Sequence, residues 1–217
     1  MEMKRLPEED AEAPQGVVYM HERAMENLGF IRDALERSTP FTSVSGWGLV
    51  GMGLYSIGGG WVASLRLNAG WWIDCWVTVG IGGFLMGLVA MIWKMKQEPR
   101  PARMHALRHF ASSLFPPIVA GAVLTEVFYE HHLSNLLSGM WLMLYGAGVT
   151  TGGAFSVRIL PVMGLQFMAL GTLSFYSPVT LQYPLLGTLR ASDLYMMLGF
   201  GVFHILFGAT IIKKYGG

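Results

Sequence analysis

Charge is scarce in this chain: Asp, Glu, Lys and Arg make up 13% of its 217 residues, against about a quarter of an average soluble domain. With 53% of its residues hydrophobic, the chain is too apolar for a soluble globule, because one small core cannot hide that much apolar surface. Cysteine is scarcer still. Cys75 stands alone, which excludes an internal disulfide framework and any multi-cysteine metal or iron–sulfur site. Nor is there a surplus of positive charge. The formal net charge is +1, and no broad basic domain is present to hold nucleic acid. A glycine-rich phosphate loop, the His-Glu pattern of metalloproteases and a nucleophile elbow are all missing. Lys4-Arg5 leads into the acidic stretch "LPEEDAEAPQG" instead of an apolar run, so the N-terminus does not read as a cleaved signal peptide.

What the chain has in abundance is apolar length. Six runs, at about 44–64, 71–93, 111–130, 136–157, 160–176 and 194–212, each approach the roughly 20 residues that cross a bilayer. The expected fold is therefore all-α, an integral membrane bundle of six transmembrane helices over residues 44–217. The fifth run is short and opens near Pro161, so a tilted or partly irregular span is expected there. Residues 1–17 read as a disordered acidic tail, since acids, Pro and Gly leave nothing to bury. Residues 18–43 read as an amphipathic helix. Ala24, Leu28, Ile31 and Leu35 recur at spacings of 4, 3 and 4 on one face, while Glu22, Arg23, Glu26, Arg32, Asp33, Glu36 and Arg37 occupy the other. Such a helix lies on the membrane surface or packs against another protein. Residues 18–38 and the basic loop 94–110 are the two candidate surfaces for a protein partner.

Thirteen of the fifteen Lys and Arg residues fall on one side of this arrangement, leaving only Arg66 and Arg190 on the other. The positive-inside rule then makes both termini cytoplasmic. Glycine recurs inside the runs, including Gly83-x-x-x-Gly87, because in lipid close backbone approach replaces the hydrophobic drive between helices. Trp47, Trp71, Trp72, Trp76, Trp93 and Trp141 lie mostly near run ends and read as interfacial anchors. Residues 47–66 and 141–158 echo one another weakly, sharing a Trp start, a Gly-Gly and a final Ser-x-Arg. A repeat offset by three spans would have inverted topology.

Ionisable residues within or beside the runs are the candidates for chemistry. "TEVFYEHH", residues 125–132, closes the third run, and Glu126 and Glu130 share a helical face there. Asp74, Glu130, His131, His132 and Asp193 form an outer-face polar cluster, a donor set suited to a divalent cation or, equally, to capping spans where water begins. Glu126 lies more than a turn further in, where an ionised carboxylate needs a partner or water. His204 sits midway along the sixth run, where an imidazole relays protons, ligates a haem or metal, or simply bonds a neighbouring helix. A second mid-run His is lacking, which disfavours bis-histidine haem within one chain. Arg158, between the fourth and fifth runs, is a candidate for lipid phosphate or an anionic ligand at the cytoplasmic edge, or a snorkelling residue. His105 and His109 share a face in "RPARMHALRHF", as a metal pair or on a headgroup-facing helix.

Three stretches, "HERAMENLGFIRDALERSTPFTSVSGWG", "WLMLYGAGVTTGGAFSVRILPVMGLQFMALG" and "GFGVFHILFGATIIKKYGG", resemble a family of small bacterial six-span membrane proteins. The resemblance implies a bacterial inner-membrane location and the six-span count, and no activity, cofactor or catalytic residue. Three readings of function are therefore open. They are a non-enzymatic membrane component, such as a sensor or complex subunit; a small transporter using Glu126 and His204; and a haem- or quinone-binding redox subunit.

Overall fold

The computed structural model describes residues 23–31, 44–65, 68–97, 101–154, 157–177, 180–183 and 187–215. The tail expected at 1–17 and most of the helix expected at 18–43 lie outside these residues. Residues 23–31 form one helix, α1, exposed along its whole length, and belong to a separate unit, residues 1–39.

The second unit is helical apart from one hairpin. Its elements are α2 (Gly46–Ser64), α3 (Ala69–Gln97), α4 (Pro101–Glu130), a 3-10 turn (Ser134–Leu136), α5 (Leu137–Gly153) and α6 (Ile159–Tyr176). Strands β1 (Thr180–Tyr183) and β2 (Gly187–Arg190), α7 (Ala191–Met196), a π-helical segment (Met197–Phe203) and α8 (His204–Tyr215) complete it. The strands pair antiparallel, with Thr180 opposite Arg190 and Tyr183 opposite Gly187. Side chains start the first helices. Ser45 Oγ accepts the Gly48 N–H at 3.2 Å, and Asn68 Oδ1 accepts the Trp71 N–H at 2.7 Å.

Four helical stretches are long and apolar enough to cross a membrane: Ala69–Lys96, Phe110–Glu130, Ile159–Tyr176 and Ala191–Lys214. They coincide with the second, third, fifth and sixth apolar runs. The first and fourth runs also fold as helices but fall short for different reasons. α5 has 17 residues, hence about 25 Å of length against a hydrocarbon core of about 30 Å. α2 has 19 residues, but seven of them are glycine, which dilutes its apolarity.

Two expectations change here. The basic segment 94–110 is mostly helical, because α3 continues to Gln97 and α4 begins at Pro101. The fifth run is a regular helix, with Pro161 in its first turn, where a missing N–H has no intrahelical partner to lose.

Packing falls into two groups of three. α2 lies between α3 and α8, and α5 lies between α4 and α6. Each central helix touches one partner through glycines seven residues apart. A Cβ on Gly46 would come 2.7 Å from the Gly208 carbonyl oxygen, and one on Gly53 would come 2.6 Å from that of Gly201. In the other group a Cβ on Gly146 would lie 2.6 Å from the Gly164 carbonyl oxygen, and one on Gly171 would lie 2.8 Å from that of Gly139. Both pairs are antiparallel, and neither tolerates even a methyl group at these positions. α7 and the π segment pack on both groups. The core, built around Trp72, Trp76, Leu142, Met163, Phe167 and Met196, lies where the groups meet.

Candidate functional site

At one end of the bundle α3 begins, α4 and α6 end, and α7 begins. A cleft of about 570 Å³ opens there, lined by Asn68, Ala69, Gly70, Glu126, Tyr129, Glu130, His132 and Ser134. Glu126 is exposed, so it is not a carboxylate hidden inside the protein. α4 touches α5 through Leu114, Pro117 and Gly121. Five residues beyond Gly121, at about 100° each, Glu126 is turned well away from that contact face. The start of α3 faces it across the cleft, where backbone N–H groups suit a carboxylate.

The rest of "TEVFYEHH" ends the helix. His132 takes a left-handed φ of 58°. Leu133 N–H then donates to the Phe128 carbonyl at 2.8 Å, and His132 N–H to that of Tyr129 at 3.2 Å. That pair of bonds is the Schellman ending, which satisfies the last carbonyls of a helix. His131 and His132 are both exposed. Asp74 is exposed on α3 and does not line the cleft. Among the described residues no group of three His, Cys, Asp or Glu side chains is placed to hold a metal ion.

Asp193 departs furthest from the expected outer-face cluster. It is 2% exposed, and its Oδ1 accepts the Trp72 indole N–H at 2.6 Å. Trp72 stacks on Trp141 with centroids 5.5 Å apart and planes 4° apart. The Trp141 indole N–H donates to Thr125 Oγ1 at 2.8 Å, and Thr125 donates to the Gly121 carbonyl at 2.6 Å. One polar and aromatic chain thus joins α7, α3, α5 and α4, ending at the residue beside Glu126. Trp72 and Trp76 are core residues instead of interfacial anchors, whereas Trp47, Trp61 and Trp93 are exposed. Their position at run ends did not distinguish the two sets; the aromatic neighbours that Trp72 and Trp76 meet in the core do.

His204 is 1% exposed and follows directly on the π segment. Its Nε2 shares a 2.8 Å hydrogen bond with the Tyr145 hydroxyl from α5. The Gly199 and Phe200 carbonyls lie beside the ring, yet Nδ1 completes no hydrogen bond. Phe200 stacks on the imidazole at 6.1 Å, Phe167 meets it edge-on at 5.5 Å, and Phe203 packs on Phe167 at 5.6 Å. Tyr145 is itself held between Phe167 at 4.8 Å and Phe200 at 5.0 Å. Trp76, 6.4 Å from Phe200, has an indole N–H that is also buried without a partner.

Arg158 is exposed at the start of α6, on the opposite end of α5 from the cleft. Side-chain placement of His105 and His109 lies outside the described residues. Tyr145 is the residue that sequence reading passed over. A tyrosine in mid-run is a signal in itself, because a buried phenol needs a hydrogen-bond partner. Comparison with known proteins brings no match: no protein-family profile, no curated protein and no solved structure aligns with the chain.

Proposed function

We propose that the chain is a non-enzymatic multi-pass membrane component that works as a small carrier of a proton or small cation, with Glu126 at its entrance and His204 within. The observation that carries this reading is the state of His204. It is an imidazole enclosed among aromatic rings, bonded through Nε2 to the Tyr145 hydroxyl and flanked by the Gly199 and Phe200 carbonyls of the π segment. An ionisable ring held inside a membrane span between a phenol and backbone carbonyls is the kind of group that relays protons. The adjoining π segment supports the same reading, since π turns recur at functional sites. The cleft beside Glu126 and the bonded chain from Thr125 to Asp193 provide polar groups from the surface inward. The reading includes six spans, with α2 and α5 crossing beside the four longer stretches, and cytoplasmic termini in a bacterial inner membrane.

Reconstitution in liposomes loaded with a pH-sensitive dye tests it. Under an imposed proton gradient or a cation gradient, the wild-type protein is expected to move protons faster than empty liposomes do. Glu126→Gln and His204→Gln should each bring the rate down to that of empty liposomes, while Asp74→Asn should leave it unchanged. Wild-type flux equal to the protein-free rate, or flux indifferent to both substitutions, would remove the carrier role.

A further inference from the structure

Beside the acidic cleft lies a second, smaller pocket of about 120 Å³. The two share Ala69 and Ser134 on their walls, yet their chemistry is opposite. The smaller pocket is lined by Arg190 at the end of β2, Asn135 of the 3-10 turn and serines at the ends of α5, α6 and α7, with no carboxylate among the described residues of its wall. Its volume exceeds what one water needs and falls below the roughly 300 Å³ of sites for drug-sized ligands. A single small polar group fits that space.

The hydroxyls at its wall are not all spent. Ser138 and Ser174 are 1% and 8% exposed and share one hydrogen bond of 2.9 Å. Two hydroxyl protons and one bond leave one buried O–H without an acceptor. Ser177 is different. It donates to the Leu173 carbonyl at 2.9 Å, so the 2.5 Å contact with Tyr195 must have the Tyr195 hydroxyl as donor. Among the wall serines only Ser138 and Ser174 are buried, so the buried spare donor belongs to that pair. Asp193, three residues beyond Arg190, directs its carboxylate to Trp72 and is not on the wall. A guanidinium, a spare hydroxyl donor and a primary amide on one pocket wall without a carboxylate suit negative oxygen.

We infer that this pocket binds an oxyanion, a phosphate or carboxylate group, held by Arg190 and by the unspent hydroxyl of the Ser138–Ser174 pair. Binding there does not depend on carrier activity and is read separately from it. Free anions and phospholipid headgroups present the same chemistry, so the test has two arms on the purified full-length protein. In the first, inorganic phosphate is titrated into delipidated protein at constant ionic strength while thermal unfolding is followed. In the second, lipid that co-purifies from native membranes is extracted and quantified by mass spectrometry.

A saturable rise in Tm with phosphate identifies a free anion. A bound phospholipid that resists washing identifies a headgroup. In either case Arg190→Gln should weaken binding about 10- to 100-fold, as expected for a charge-assisted hydrogen bond, and Arg190→Lys should restore part of it. The double variant Ser138→Ala/Ser174→Ala removes both hydroxyls as a pair, keeps the shape, and should fold normally with weakened binding. Absence of both phosphate and lipid binding would overturn the assignment. So would binding that Arg190→Gln and the double serine variant leave unchanged.

Discussion

Trp72 shows how much one side chain can hold together here. Its indole N–H satisfies one oxygen of the buried Asp193 carboxylate, and its ring lies flat on Trp141, whose own N–H reaches Thr125. Replacing it with Phe keeps most of the apolar volume and the stacking but removes the donor. Trp72→Phe is expected to destabilise the protein by about 1.5–3 kcal/mol, the range for a hydrogen bond to a charged group. Asp193→Asn, which keeps an acceptor for the indole, should cost less. Thermal unfolding in detergent, followed by circular dichroism, orders the two; an Asp193→Asn loss as large as that of Trp72→Phe would show that a neutral acceptor does not hold the indole and that the charge carries the bond. Both residues were readable in sequence as polar or aromatic punctuation at run ends. Their partnership was not, because 121 positions separate them and no local pattern brings α3 to α7.

The helix pairs repeat one device. Gly46, Leu49, Gly53, Gly59 and Gly60 of α2 recur in α5, without gaps, as Gly139, Leu142, Gly146, Gly152 and Gly153. This register differs from the looser alignment anchored on Trp47 and Trp141. It is also not the signature of a three-span duplication, which would map the α2–α8 pair onto α5–α4, whereas Gly139 and Gly146, the counterparts of Gly46 and Gly53, face α6. Glycine abundance was plain in the sequence; which glycines need to be glycine was not. Gly53→Ala and Gly146→Ala push a methyl against a partner's carbonyl at 2.6 Å and should each cost about 1–3 kcal/mol. Gly58→Ala and Gly80→Ala meet nothing within 4 Å and should be neutral or stabilise by up to ~1 kcal/mol, as Ala is the better helix former. Thermal unfolding in detergent separates the two pairs, and a uniform response across all four would refute the packing argument.

At the scale of the whole molecule, the two groups of three helices have broad apolar faces open to lipid, most of all on α3 and α4. Their sparse polar residues collect at the cleft end and along the seam between groups. The six-span arrangement makes a specific demand on labelling from outside the membrane. In a Cys75→Ser background, Val44→Cys and Asn68→Cys should react with an impermeant maleimide from opposite sides if α2 crosses. Ser134→Cys and Arg158→Cys should do so if α5 crosses. Same-side labelling of either pair would lower the number of spans. Under the proposed topology, with 13 of 15 Lys and Arg on the cytoplasmic side, Arg158 faces the cytoplasm, and the oxyanion pocket and the acidic cleft both open away from it.

Composition and apolar run length were enough to determine a helical membrane protein, because in hydrocarbon a backbone has to satisfy its own hydrogen bonds and helices are the short-range way to do so. Several run ends followed from the same local chemistry; that the third closes in a Schellman ending at a left-handed His132 did not. Tertiary structure alone decided that Glu126 is exposed and Asp193 buried, and that Tyr145 is the partner of His204. It also decided that a serine in the first turn of α5 and one in the last turn of α6 share one bond and leave a proton over. Each of these depends on which face of one helix meets which face of another. In an apolar bundle nearly every face is greasy enough to be buried, so periodicity carries little information about the answer, and close backbone packing at a few glycines supplies it.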